Sequence, residues 1–232
     1  MKIVTLSFDD GTIQDKRLVS ILECYGLRAT FHLNSGFFGQ KHEIVHGGIL
    51  CDHTELTIEE AKKVYRNQEI AVHTVHHPDL SKLDEKEILA EVGEDQQALE
   101  EIFEQKIIGM AYPGGGTPYN EVVMRVIRNN TSICFARTVH EQYDYSLPQN
   151  WMEWNPTCDI QSDKFPYLTE KFIESADSEE INLLYVWGHA FEFDKYDNWE
   201  RMEAFAEKIA SNSALRVMTT KEVYLYANAN RK

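Results

Sequence analysis

The chain has 232 residues, of which 43% are hydrophobic and 26% charged. That is enough for one well-buried core and is a globular rather than a disordered composition. Its formal net charge is −15, from 23 basic and 38 acidic residues. A surface this acidic repels phosphate backbones and anionic lipid heads, which excludes nucleic acid and bare membrane as partners and leaves a neutral or cationic substrate.

In chain order, Ile3–Phe8 is apolar and β-branched without a helical period and reads as a buried strand. A helix follows, with Leu18, Ile21, Leu22 and Tyr25 on one face and Gly26 at the C-cap. Ala29–Leu33 reads as a second strand. Capping boxes at Thr57/Glu60, Asp84/Glu87 and Thr219/Glu222 mark three helix starts. The helix after Asp84 is expected to be long, with an apolar face through Ile88, Val92, Leu99 and Phe103. Further strands are expected at Ile70–His73, Ile107–Ala111, Ile133–Arg137, Leu183–Trp187 and Leu215–Met218, and helices at Tyr119–Ile127, Lys164–Ser175 and Trp199–Ile209. The aromatic, irregular stretch Thr138–Asp163 reads as a long functional loop. Strand and helix alternate about seven times, which implies a parallel sheet, closed or wound, in a single α/β domain spanning 1–232. The widely spaced Cys24, Cys51, Cys134 and Cys158 read as reduced thiols. The apolar run from Met1 is short and ends in two aspartates, and no apolar stretch reaches the roughly 20 residues of a membrane span, so a cytoplasmic protein is expected.

Four strand ends carry chemistry. Phe8-Asp9-Asp10-Gly11 puts two adjacent carboxylates at the end of a buried strand, where they repel and are costly to desolvate unless a cation compensates. A turn or N-cap is the plainer reading of the same residues. His73-Thr74-Val75-His76-His77-Pro78 follows another strand; histidines four apart meet one ion if the backbone turns helically between them. One carboxylate and two imidazoles leave open coordination positions, as in a catalytic zinc site, although non-haem iron oxygenases use the same set. Trp187-Gly188-His189 ends a third strand, and its histidine is by itself equally readable as structural. Recurrence of Asp, His and His at strand ends favours a (β/α) barrel, whose sites gather on that face. Tyr112-Pro113-Gly114-Gly115-Gly116 is either a plain turn or a backbone able to approach a ligand and offer N–H groups to an oxyanion.

Together, and in this order, these segments resemble the motifs of the polysaccharide deacetylase family, which includes chitin, chito-oligosaccharide and peptidoglycan deacetylases. The resemblance covers nearly the whole chain. It implies a distorted (β/α)7-like barrel and one divalent metal ion, commonly zinc with cobalt or iron as options, held by Asp10, His73 and His77. It further implies Asp9 as general base, His189 as general acid, and an N-acetylated (less readily O-acetylated) sugar as substrate. The N–H of Gly114 would help to hold the oxyanion, and His76 has no family role.

The chain departs from the family pattern where an arginine that pairs with the catalytic aspartate is replaced by Ala111, and an aromatic residue by Gly114. Arg137, at the end of the next strand, is the candidate substitute. Trp154 and Trp187 are candidates for the acetyl pocket wall or, equally, for the core. Glu192 is a candidate partner for a sugar hydroxyl or a histidine N–H. A hydrolase of a small non-sugar amide or ureide, and a non-catalytic sugar-binding barrel, remain as alternatives. The motifs do not fix the sugar, its chain length or the oligomeric state.

Overall fold

The first strand, β1 (Lys2–Asp10), is buried along all but its last residue. Val4, Leu6 and Phe8 alternate with Thr5 and Ser7, and all five are buried, so both faces of the strand are covered. The computed structural model describes residues 1–176 and 180–230. After β1 come α1 (Asp15–Cys24), β2 (Thr30–Leu33), a hairpin of β3 (Glu43–His46) and β4 (Ile49–Asp52), α2 (Ile58–Val64) and β5 (Glu69–Val72). Then follow α3 (Glu85–Leu89), α4 (Asp95–Phe103), β6 (Gly109–Ala111), α5 (Glu121–Asn130), β7 (Phe135–Arg137) and β8 (Cys158–Asp159). The chain continues with α6 (Phe165–Glu174), β9 (Asn182–His189), α7 (Phe191–Lys195), α8 (Trp199–Ala210), β10 (Leu215–Val217) and α9 (Thr220–Ala229).

The strands pair in the order β7-β6-β5-β2-β1-β9-β8, every pair parallel. The remaining gap, between β7 and β8, is bridged by one residue. Trp154 N donates to Ala136 O at 2.9 Å, Thr138 N donates to Trp154 O at 3.1 Å, and three residues later Thr157 N reaches Tyr185 O on β9 at 2.8 Å. The result is the expected distorted (β/α)7-like barrel, weakly closed on one side. β10 attaches to the foot of β1, pairing with Lys2–Val4, while β2 pairs with Ser7–Asp10. All four cysteines carry free thiols.

All three capping boxes form, at Thr57, Asp84 and Thr219. Three features differ from the sequence reading. The stretch Thr138–Asp163 contains β8, which helps to complete the barrel. The β3–β4 hairpin was not expected, because its strands are mostly exposed and lack a core-facing alternation. The long helix after Asp84 is interrupted by a π-turn over 90–94.

That π-turn positions the histidine motif. Inserting a residue breaks the helical ladder and frees backbone groups. Glu91 O accepts Val75 N at 3.0 Å, and the Glu91 carboxylate takes His76 N at 2.8 Å and faces His76 Nδ1 at 2.9 Å. Asp95, which opens α4, accepts Ser35 N at 2.7 Å and His73 N at 3.1 Å. His76 therefore ties its loop to the helix rather than facing the cleft.

Candidate metal centre and active site

β1 ends in a turn with positive φ at both Asp10 (78°) and Gly11 (76°). A Cβ on Gly11 would lie 2.8 Å from Leu33 Cδ2, so only glycine fits there without strain. The turn splits the two carboxylates. Asp9 stays in register with His32 on β2 and His189 on β9, inside the barrel mouth. Asp10 is aimed at the histidines of the β5 loop.

Asp9 is 2% exposed, and the structure gives it two partners. His32 Nδ1 is 2.9 Å from its Oδ1, and the guanidinium of Arg137 pairs with its Oδ2. Arg137 also donates to Thr138 O at 3.0 Å and lies 4.4 Å over the Trp187 ring. Burial alone would raise the pKa of Asp9, but Arg137, His73 and His32 outweigh it and hold the carboxyl well below the usual range. The position of this arginine follows from the sheet. Arg137 on β7 is the registered partner of Ala111 on β6, so the cation stands at the same level one strand over.

Asp10 Oδ1 lies 3.5 Å from His73 Nε2 and 4.0 Å from His77 Nε2. The three donor atoms lie within 4.8 Å of one another. His73 Nδ1 is 3.0 Å from Ala111 O, which keeps the proton on Nδ1 and turns Nε2 toward Asp10. The sequence reading required a helical turn between the histidines, and the backbone there is not helical. Thr74 (φ 72°) and His77 (φ 57°) are left-handed, and Thr74 Oγ1 accepts His77 N at 3.0 Å. This compact turn gives the same convergence. Two imidazoles and a carboxylate with open positions suit a divalent cation such as zinc. Burial pushes His73 down to about 4, keeping it neutral and able to ligate.

His189 faces Asp10 from the other wall, Nε2 to Oδ2 3.8 Å, with Glu192 Oε2 3.4 Å from its Nδ1. Burial disfavours the imidazolium, but the hydrogen bond and charge of Glu192 and the charges of Asp10 and Asp9 prevail and push His189 up to about 10. These groups line a cleft of about 430 Å³ with Tyr112, Gly114, Trp187, Asp159, and Ile44 and His46 of the hairpin.

The comparison with known proteins decides the family. The polysaccharide deacetylase model matches residues 1–131. The chain belongs to that family. Among curated proteins none matches it. Among solved structures, this polysaccharide deacetylase chain is similar to the Streptococcus pyogenes deacetylase PplD in complex with acetate, at 23% identity and TM-score 0.58 over 74% of this chain and 70% of that one. It is also similar to a family 4 acetyl xylan esterase from Clostridium thermocellum in complex with a cobalt ion, at 14% identity and TM-score 0.61 over 97% and 92%. A third neighbour is a family 4 carbohydrate esterase pseudoenzyme from Bacillus anthracis, at 16% identity and TM-score 0.58 over 95% and 64%.

Within this polysaccharide deacetylase fold, Asp9, Asp10, His73, His77, Gly114, Trp187, His189 and Glu192 meet in the one cleft. Trp154 does not. It is fully buried between Phe135, Trp151 and Tyr185, because its bridge to β7 turns the ring into the core, and it is no substrate contact. Arg137 likewise faces Asp9 rather than the cleft, 1% exposed. Gly114 N, expected to serve an oxyanion, donates to His77 Nε2 at 3.1 Å; a metal ion and this N–H compete for the same lone pair. Sequence reading missed His32, Asp159 and His53, whose Nε2 is 3.1 Å from Asp10 Oδ2. Their only signal is a histidine or aspartate at a strand end or hairpin foot.

Proposed function

We propose that the chain is a metal-dependent hydrolase that removes acetyl groups from N-acetylated sugars. One observation carries this reading: a cleft beside a three-donor cation site holds a carboxylate biased to ionise, Asp9, opposite an imidazole biased to protonate, His189. Groups held in opposite protonation states mark an acid and a base. A divalent ion held by Asp10, His73 and His77, zinc first with cobalt or iron as options, would polarise the acetyl carbonyl and acidify a water. Asp9 takes the proton of the attacking water. Protonated His189 gives its Nε2 proton to the departing amine, a poor leaving group without it. Arg137 and His32 hold Asp9 in place, Glu192 holds His189, and Trp187 walls the cleft.

The test is acetate release from mono-, di- and tetra-N-acetylglucosamine by chelated protein and by protein reloaded with zinc or cobalt. Release is expected only after reloading. Loaded protein that releases no acetate from any of the three would overturn the proposal and leave a non-catalytic barrel or a non-sugar amide substrate.

A second expectation concerns pH. Activity that requires protonated His189 falls as pH rises through its pKa. Glu192→Gln removes the hydrogen-bonded charge that raises this value and leaves burial, which lowers it. The alkaline limb of kcat/KM should therefore move to lower pH, by roughly 1–3 units. An unmoved limb would separate Glu192 from the acid.

A further inference from the structure

The β3–β4 hairpin stands on two feet, zipped where His53 N donates to His42 O at 3.0 Å and Glu55 N to Gln40 O at 3.0 Å. Three side chains converge there. Glu55 is 3% exposed. Its Oε1 lies 3.1 Å from His53 Nδ1. Its Oε2 is buried, makes no hydrogen bond, and stands 3.3 Å from His42 Nδ1. The rings of His42 and His53 are 5.0 Å apart, and one donor atom from each of the three residues lies within 4.8 Å of the others. A buried carboxylate oxygen without a donor is costly, and here His42 Nδ1 faces Oε2 while His53 Nδ1 faces Oε1, so two imidazole nitrogens and a carboxylate meet in one place.

We propose that His42, His53 and Glu55 bind a second divalent cation of the zinc type. Two nitrogens and a carboxylate oxygen, with one position open to water, are a donor set of that class. His53 links this site to the first. Its Nε2 is 3.1 Å from Asp10 Oδ2 and its Nδ1 3.1 Å from Glu55 Oε1; a bound cation would displace the Nδ1 proton and leave the Nε2 proton directed at Asp10. That is the carboxylate–histidine–metal arrangement that fixes tautomer and ring orientation. Asp10 then serves both centres, with Oδ1 facing His73 and His77 and Oδ2 facing His53. The second cation fastens the feet of the hairpin and so fixes Ile44 and His46 in the wall of the cleft. This inference goes beyond the deacetylase reading, because its measure is the number of ions bound and not acetate released.

The experiment is zinc titration of the chelated full chain, with bound metal counted after equilibrium dialysis. Two ions per chain are expected for the native protein, and one each for Glu55→Gln, His42→Ala and His77→Ala. Hydrogen exchange of the amides of residues 42–55 should slow in the native protein with the second equivalent and not in Glu55→Gln. The single ion kept by Glu55→Gln shows that its first centre is folded. If that variant fails to fold, His42→Ala, whose side chain is 37% exposed, carries the test. One ion in the native protein and none in His77→Ala, or two ions kept in His42→Ala, would overturn the proposal and reduce the cluster to hydrogen-bonded side chains.

Discussion

Asp9→Asn is expected to lower kcat/KM by about 10²–10⁴-fold, the usual worth of a positioned base, while zinc still binds at Asp10, His73 and His77. Asparagine keeps the size of the side chain but only one acceptor oxygen where Asp9 offers one to His32 and one to Arg137, and it takes no proton from water. The substitution also strips the counter-charge from Arg137, which is 1% exposed. Breaking a buried pair on one side costs about 3–5 kcal/mol, because a charge is left behind without compensation. For a chain of this size that corresponds to a fall in Tm of roughly 6–20 °C. Acetate-release kinetics at saturating zinc, measured below the lowered Tm, separate the two effects. A folded, zinc-loaded Asp9→Asn with native kcat/KM would remove Asp9 from the chemistry.

The fold was legible where burial imposes a pattern. β1 has apolar side chains on both faces, and all three capping boxes are local chemistry that tertiary context did not override. The hairpin escaped detection because it buries little: Val45, Ile49 and Leu50 are exposed, so no period marks a hidden face. The π-turn is invisible for a related reason. Ile88, Val92 and Leu99 are all buried, as on an uninterrupted helix, and the extra residue shows only in the backbone.

The site divides along the same line. Asp10, His73 and His77 sit in short motifs at strand ends, where the barrel gathers them. Their supporting partners lie far away in sequence: His53 is 43 residues from Asp10, and Arg137 is 128 from Asp9. Arg137 was within reach because it ends a strand next to the one where the family pattern places its arginine. His53 was not, since it stands at the foot of a hairpin that leaves no trace. Trp154 stayed undecided because an aromatic residue in a loop over a barrel mouth suits a pocket and a core equally; its hydrogen bonds to β7 decide for the core.

Arg137→Met should act mainly through the protonation of Asp9. In the native protein, burial raises the pKa of Asp9, and Arg137, the largest opposing influence, brings it down. Methionine fills much of the same volume over Trp187 and carries no charge, so burial dominates and the pKa rises. If ionised Asp9 is the base, the acid limb of kcat/KM moves to higher pH, by roughly 1–3 units. Stability changes sign with it. A carboxyl whose folded value is depressed adds stability that is complete above its unfolded value, about 3.9, and is lost as pH falls through the folded value. A carboxyl whose folded value is raised does the reverse, adding stability below the unfolded value that disappears as pH rises through the folded one. The gap between native and variant stability should thus widen from about pH 4 toward neutrality, and urea unfolding of chelated protein across that range measures it. The double variant Asp9→Asn, Arg137→Met should recover much of what either change loses, because no buried charge remains unpaired. A constant stability gap together with an unmoved acid limb would show that Arg137 supports the barrel by packing on Trp187 and does not set the charge of Asp9.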